Sequence, residues 1–118
     1  MNNKILIASD HAGFDLKKKL LEYMPSDLFE DLGTNSNKNV DYPDFAHLLS
    51  KKMKRNNRKF GILICGSGIG MDMAANKHKD IRAALCYDIK STKLSRQHNN
   101  ANVMTIGAKL TKKNVALK

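Results

Sequence analysis

Five short apolar, β-branched-rich segments, separated by helical patterns, constrain this chain more than any other feature it has. The first is Ile5-Leu-Ile-Ala-Ser9. From Gly13 to Met24, apolar residues at Phe14, Leu16, Leu20 and Leu21 form a helical stripe that Pro25 ends. Leu28-Phe29 reads as a weaker second strand, running into a turn-rich polar loop from Asp31 to Asn39. A second helix begins near Pro43, a residue suited to a first helical position, and runs to about Arg55. Phe60-Gly-Ile-Leu-Ile-Cys65 is the clearest strand, and the helix after its glycine loop includes Met71, Met73 and Ala74. Ile81 to Cys86 is a fourth strand, followed by a helix from about Asp88 to His98. Asn102 to Ile106 is the fifth, and Thr111 would open a last helix.

Strands that are apolar on both faces and alternate with helices predict a parallel sheet covered on each side. The expected fold is α/β, a three-layer sandwich with a five-stranded parallel sheet, Rossmann-like. A length of 118 residues predicts one domain, 1–118, with no internal repeat or low-complexity linker to divide it. Such a domain buries roughly two-thirds of its unfolded surface.

No apolar run approaches the ~20 residues that cross a membrane. Met1-Asn-Asn-Lys4 enters the first strand without a signal-peptide pattern, so a cytoplasmic protein with no membrane partner is expected. Cys65 and Cys86 each close an apolar run without metal-ligand spacing, which suits reduced thiols. The net charge of +10 is concentrated in Lys51 to Lys59 and Lys109 to Lys118. Those runs suit a solvated helix face and an exposed end, or attraction of anions such as phosphorylated metabolites. The seven aromatic residues include no Trp and no Arg/aromatic interleaving, so no nucleic-acid partner is expected.

Open parallel sheets bind ligands at the carboxyl ends of their strands. Two polar clusters fall there, each leading into a helix whose free N–H groups would face the site. One is Ser9-Asp-His-Ala-Gly13; the other is Cys65-Gly-Ser-Gly-Ile-Gly70. The glycine loop lacks the Lys-Ser/Thr of a Walker A loop. It approaches the dinucleotide fingerprint, with its third glycine one position early, and Asp88 stands near the place of a ribose-binding acid. Cys65, between a core strand and an anion-binding loop, is expected to have more thiolate character than an ordinary thiol. Cys86 reads as a small buried hydrophobe. Asp10 and His11 suit a helix cap and a surface imidazole, or contacts to sugar hydroxyls and phosphate. His47 and His78 have no such setting and read as surface residues.

The motifs Ser9-Asp-His-Ala-Gly-Phe14, Asp41-Tyr-Pro43, Gly61 to Gly70, Ala74-Ala-Asn-Lys77, Ile81-Arg-Ala-Ala84 and Leu94-Ser-Arg-Gln-His-Asn99 resemble the type B ribose-5-phosphate isomerases. The wider family includes galactose-6-phosphate isomerase subunits. The resemblance covers nearly the whole chain in order. It implies interconversion of ribose 5-phosphate and ribulose 5-phosphate through an enediolate, with no metal and no cofactor. Cys65 matches the catalytic base and His98 the residue that assists ring opening. Gly66, Ser67, Gly68, Ile69 and Gly70 match the loop that stabilises the enediolate oxygen. Asp10, His11 and Asn99 match substrate contacts. Six-carbon substrates such as galactose 6-phosphate or allose 6-phosphate stay open, as does a non-catalytic sugar-phosphate-binding module.

His98 ends a helix that runs back toward the amino ends of the strands, whereas Cys65 stands at a carboxyl end. A strand of ~5 residues spans ~17 Å, so one subunit would not join them. The family forms dimers or pairs of dimers, and the expectation is a homodimer or homotetramer in which His98 and Asn99 serve the partner's Cys65. Two departures stand out. Lys109 takes a place where the family usually carries arginine; it keeps the charge and loses the bidentate fork. The family also continues for about another helix, with two further phosphate-binding arginines and dimer contacts, so the domain is expected to be short at its carboxyl end.

Overall fold

The computed structural model describes residues 4–55 and 60–110. The helix expected at Thr111, the end of the first basic run and the basic tail beyond Leu110 lie outside those residues. The strands are Ile5–Ser9 (β1), Phe29–Asp31 (β2), Gly61–Cys65 (β3), Ala83–Leu85 (β4) and Val103–Gly107 (β5). The helices are Phe14–Tyr23 (α1), Tyr42–Arg55 (α2), Ile69–Ala75 (α3) and Ile89–Gln97 (α4). All strand pairs are parallel, in the order β2-β1-β3-β5-β4. The expected α/β parallel sheet is therefore present, with adjustments at element ends. Leu28 falls in a single 3-10 turn, Ser26–Leu28, before β2. β4 is shorter than the apolar run that suggested it, because it is an edge strand paired only with β5.

Alternation along the strands divides the core in two. Leu6, Ala8, Leu63, Cys65 and Val103 face Ala46, Leu49 and Met53 of α2 and Met71, Ala74 and Ala75 of α3. Ile7, Ile64 and Ile106 face Leu16 and Leu20 of α1. Helices thus cover both faces, as right-handed crossovers require. α4 differs from the expectation of a helix laid on the sheet, since none of its residues is buried. Its stretch Ile-Lys-Ser-Thr-Lys-Leu-Ser-Arg-Gln has too little apolar surface to seat deeply. It is held by polar contacts instead: Asp88 accepts from Ser91 N at 2.6 Å in a capping box, and Arg96 donates to the Ala101 carbonyl while lying over the Phe60 ring.

Candidate active site

The register sets the carboxyl ends of β1, β3 and β5 side by side, with Ser9 opposite Ile64 and Cys65 opposite Gly107. Cys65 is 4% exposed, on the α2/α3 side of the sheet. The loop behind it turns through Gly68 at φ +80°, a conformation that favours glycine. That turn aims the Gly68 N–H at Cys65 Sγ, 3.1 Å away. Ile69 N donates to Ser67 Oγ at 3.1 Å, and α3 starts at once. Two bonds tie the loop to the end of β5: Ala108 N to Cys65 O at 2.8 Å, and Lys109 N to Gly66 O at 2.9 Å. A side-chain carbon added at Gly66 would meet Lys109 Cδ at 3.6 Å and Ala12 Cβ at 3.7 Å. Lys109 and the loop after β1 therefore flank the glycine loop.

Asp10, 6% exposed, accepts from Gly13 N at 3.0 Å, while its own N–H donates to Ile64 O. The close fit has no room for more, as a side chain at Gly13 would strike the Ile64 carbonyl group. His11 is half-buried, with Nδ1 3.1 Å from both the N–H and the carbonyl of Val40. It lines a pocket of ≈ 540 Å³ together with Asn39, Val40, Asp41, Asp44 and Phe45. Tyr42, to which the sequence assigned no role, lies where a side chain on Gly70 would touch its ring at 2.7 Å. Its signals in the sequence were the motif Asp41-Tyr-Pro43 and its place at a helix start. Asp72, also unassigned, accepts from Thr105 Oγ1 at 3.2 Å behind the loop. Burial pushes its carboxyl up from the ordinary 3.8, with the Thr105 hydroxyl opposing.

His98 and Asn99 are not with this group. His98 caps the carboxyl end of α4 and is exposed. Arg82 Nε donates to Asn99 O at 2.9 Å, just ahead of β4, and Gly61 N donates to Asn102 O. These contacts lie at the starting ends of the strands. Cys65 is four steps along β3 from Gly61, roughly 13 Å at the rise of a strand. Asp88, the acid of the dinucleotide alternative, is committed to capping α4. The Ser91 backbone and side-chain bonds hold its carboxyl below the ordinary value.

His47 and His78 are not the isolated surface residues expected. His47 Nδ1 stands 2.6 Å from His78 Nε2, across the contact between α2 and the turn after α3. Sequence alone gave no signal, because 31 residues separate them. One facing nitrogen must be unprotonated to accept the bond. Burial lowers the His78 pKa, and positive His47, Lys51 and Lys54 lower it further. The folded chain thus binds this proton less tightly than the unfolded chain, so stability falls as pH drops below 6.5. Thermal melts should show a Tm loss between pH 7 and pH 5 that shrinks in His78→Gln. An undiminished loss in that variant would assign it to other groups.

Fold and site together define an open parallel α/β protein with a thiol set against a glycine loop at the carboxyl ends of its strands. Residues 5–118 match the model of the ribose/galactose isomerase family. A probable ribose-5-phosphate isomerase B of Mycoplasma genitalium is 49% identical over 113 residues, covering 92% of this chain and 74% of that protein. The crystal structure of a ribose 5-phosphate isomerase from Thermotoga maritima superposes with a TM-score of 0.91 at 44% identity, over 98% of this chain and 81% of that one. The Mycoplasma genitalium enzyme solved with bound ribulose-5-phosphate gives a TM-score of 0.89 at 44% identity, over 97% and 78% of the two chains. This chain belongs to the ribose/galactose isomerase family.

Proposed function

We propose that this chain is an aldose–ketose isomerase that interconverts ribose 5-phosphate and ribulose 5-phosphate through an enediolate, a step of the pentose phosphate pathway. Cys65 moves the proton between C1 and C2. A proton next to a carbonyl is weakly acidic, so its transfer needs a positioned base and donors ready for the developing oxyanion. The observation that carries the reading is the Gly68 N–H aimed at Cys65 Sγ at the front of the glycine loop, in a chain of this family. The loop from Gly66 to Gly70 receives the enediolate oxygen. Asp10 and His11 bind the sugar phosphate, and Lys109, beside Gly66, supplies charge toward the phosphate. The relative with bound ribulose-5-phosphate favours the five-carbon substrate.

His98 and Asn99 act on the partner subunit's substrate, His98 in ring opening, within a homodimer or homotetramer of single-domain chains 1–118 in the cytosol. Two observations support the shared site. Cys65 stands at the carboxyl end of β3, whereas His98 adjoins Asn99, whose carbonyl Arg82 holds ahead of β4, toward the amino ends of the strands. Tyr87, Ile89, Leu94 and Phe60 also leave an exposed apolar surface around α4. Among the described residues, no helix is long and apolar enough to cross a membrane.

Turnover of ribose 5-phosphate, compared with galactose 6-phosphate and allose 6-phosphate, tests the activity. Ketose formed fastest from the pentose supports the reading, and binding without turnover defeats it. Mixing inactive Cys65→Ala and His98→Ala proteins tests the shared site. Subunit exchange should restore activity at the sites that combine an intact Cys65 with an intact His98. Recovery that never rises above either parent rules out sharing.

A further inference from the structure

The first helix buries a charge. Lys17 lies three residues before Leu20 on the inward face of α1 and is 1% exposed. An ammonium leaves water only where it is paired and its protons are hydrogen-bonded. Its Nζ lies 2.6 Å from Asp31 Oδ1 and donates to the Thr34 carbonyl at 2.6 Å, with the Phe14 ring 5.7 Å away. The same Asp31 oxygen accepts from Gly33 N at 2.9 Å. Lys17 thus grips both sides of the bend where the chain leaves β2.

Backbone pairing continues through that bend. Leu32 N donates to Ile7 O, Ser9 N to Gly33 O, and Thr34 N to Ser9 O. From there residues 35–39 run mostly exposed to Val40, whose backbone meets His11 Nδ1. The loop is therefore anchored near one end by a buried ammonium and at the other by a site imidazole.

We propose that Lys17 is a positioning residue for substrate binding: its ammonium sets where the loop 32–41 leaves the sheet, and the far end of that loop sets the orientation of the His11 ring. The inference rests on the isomerase reading above. Methionine at position 17 fills similar space but holds neither acceptor, which loosens a bend still paired by its backbone and, through it, shifts His11. The Cys65 loop is tied separately to the end of β5 through Ala108 and Lys109. Binding should therefore suffer while the chemical step persists.

The test combines ribose 5-phosphate kinetics with nitrogen-15 spectra of the four histidine rings in Lys17→Met and Asp31→Asn. Lys17→Met should raise KM about tenfold with kcat within about twofold, the size expected for a small misplacement of a binding group. The His11 ring signals should shift while those of His47, His78 and His98 hold. Asp31→Asn keeps an acceptor for Gly33 and removes the charge partner. It should raise KM about threefold with the same spectral pattern, and it decides the matter if Lys17→Met does not fold. Wild-type KM with unmoved His11 signals overturns the proposal. So does a joint change in kcat, KM and all four rings, which marks a lysine that only stabilises the fold. A wild-type protein without turnover defeats the isomerase reading instead, and the His11 signals then still decide the role of Lys17.

Discussion

Replacing Cys65 with alanine should lower kcat on ribose 5-phosphate by about 10²–10⁴-fold, the range a positioned general base contributes. KM should change little, because the contacts proposed for the sugar phosphate come from Asp10, His11 and Lys109. Cys65 is a buried member of the core at the end of β3, but alanine keeps its Cβ and removes a single sulfur, so the fold should survive. Losing a small buried side chain to alanine belongs at the mild end of core truncations. Steady-state kinetics beside a thermal melt separate the two effects. Near-wild-type kcat in Cys65→Ala would remove the thiol from the mechanism. Cys86→Ala is the control. That thiol is equally buried, 3.5 Å from the Ala84 carbonyl and 4.0 Å from Ser95 Oγ, and should leave kcat unchanged.

The second large effect is expected at Gly107, a residue outside the glycine loop. A Cβ there would collide with the carbonyl oxygen of Ser67 and lie 2.5 Å from its carbonyl carbon. These are backbone atoms, so no rotamer change relieves the clash. The end of β5 would be pushed away from the loop, straining the bond from Ala108 N to Cys65 O. Gly107→Ala should cost about 1–3 kcal/mol of stability, typical of an overpacked site. Its kcat should fall by about 10²–10³-fold, as when one oxyanion donor is lost. Activity should fall well before the protein melts, which an assay at 25 °C and a melting curve would show together. A folded variant with full activity would mean the loop is not held by β5. Gly66→Ala is the milder comparison, because its added carbon meets only side-chain atoms, at 3.6 to 3.8 Å.

Much of this was legible in the chain itself because the signals are local. Apolar runs on both faces of short strands marked β1, β3 and β5, and Pro25 and Pro43 marked a helix end and a helix start. Cys65 and its loop stood out because strand, thiol and glycines are contiguous. The role of Gly107 was hidden, since its neighbour Ser67 is 40 positions earlier in the chain. The pairing of His47 with His78 was hidden for the same reason, which turned two apparent surface residues into a hydrogen-bonded pair. Lys17 carried a faint signal: it shares the stripe of Leu16 and Leu20, where a charge needs a buried partner. No pattern in sequence named Asp31 and Thr34 as those partners.

The sequence by itself determined the class of fold, the end of the sheet where a ligand is expected, and the thiol that stands there. It could do so because periodicity and turn residues act over a few positions. Only the tertiary structure decided what surrounds that thiol. Parallel pairing of β1, β3 and β5 brings Asp10, Cys65 and Lys109 to the carboxyl ends of the strands while α4 carries His98 toward the amino ends. Such neighbours depend on which strands lie side by side, and crossover connections set that over distances that no local pattern records.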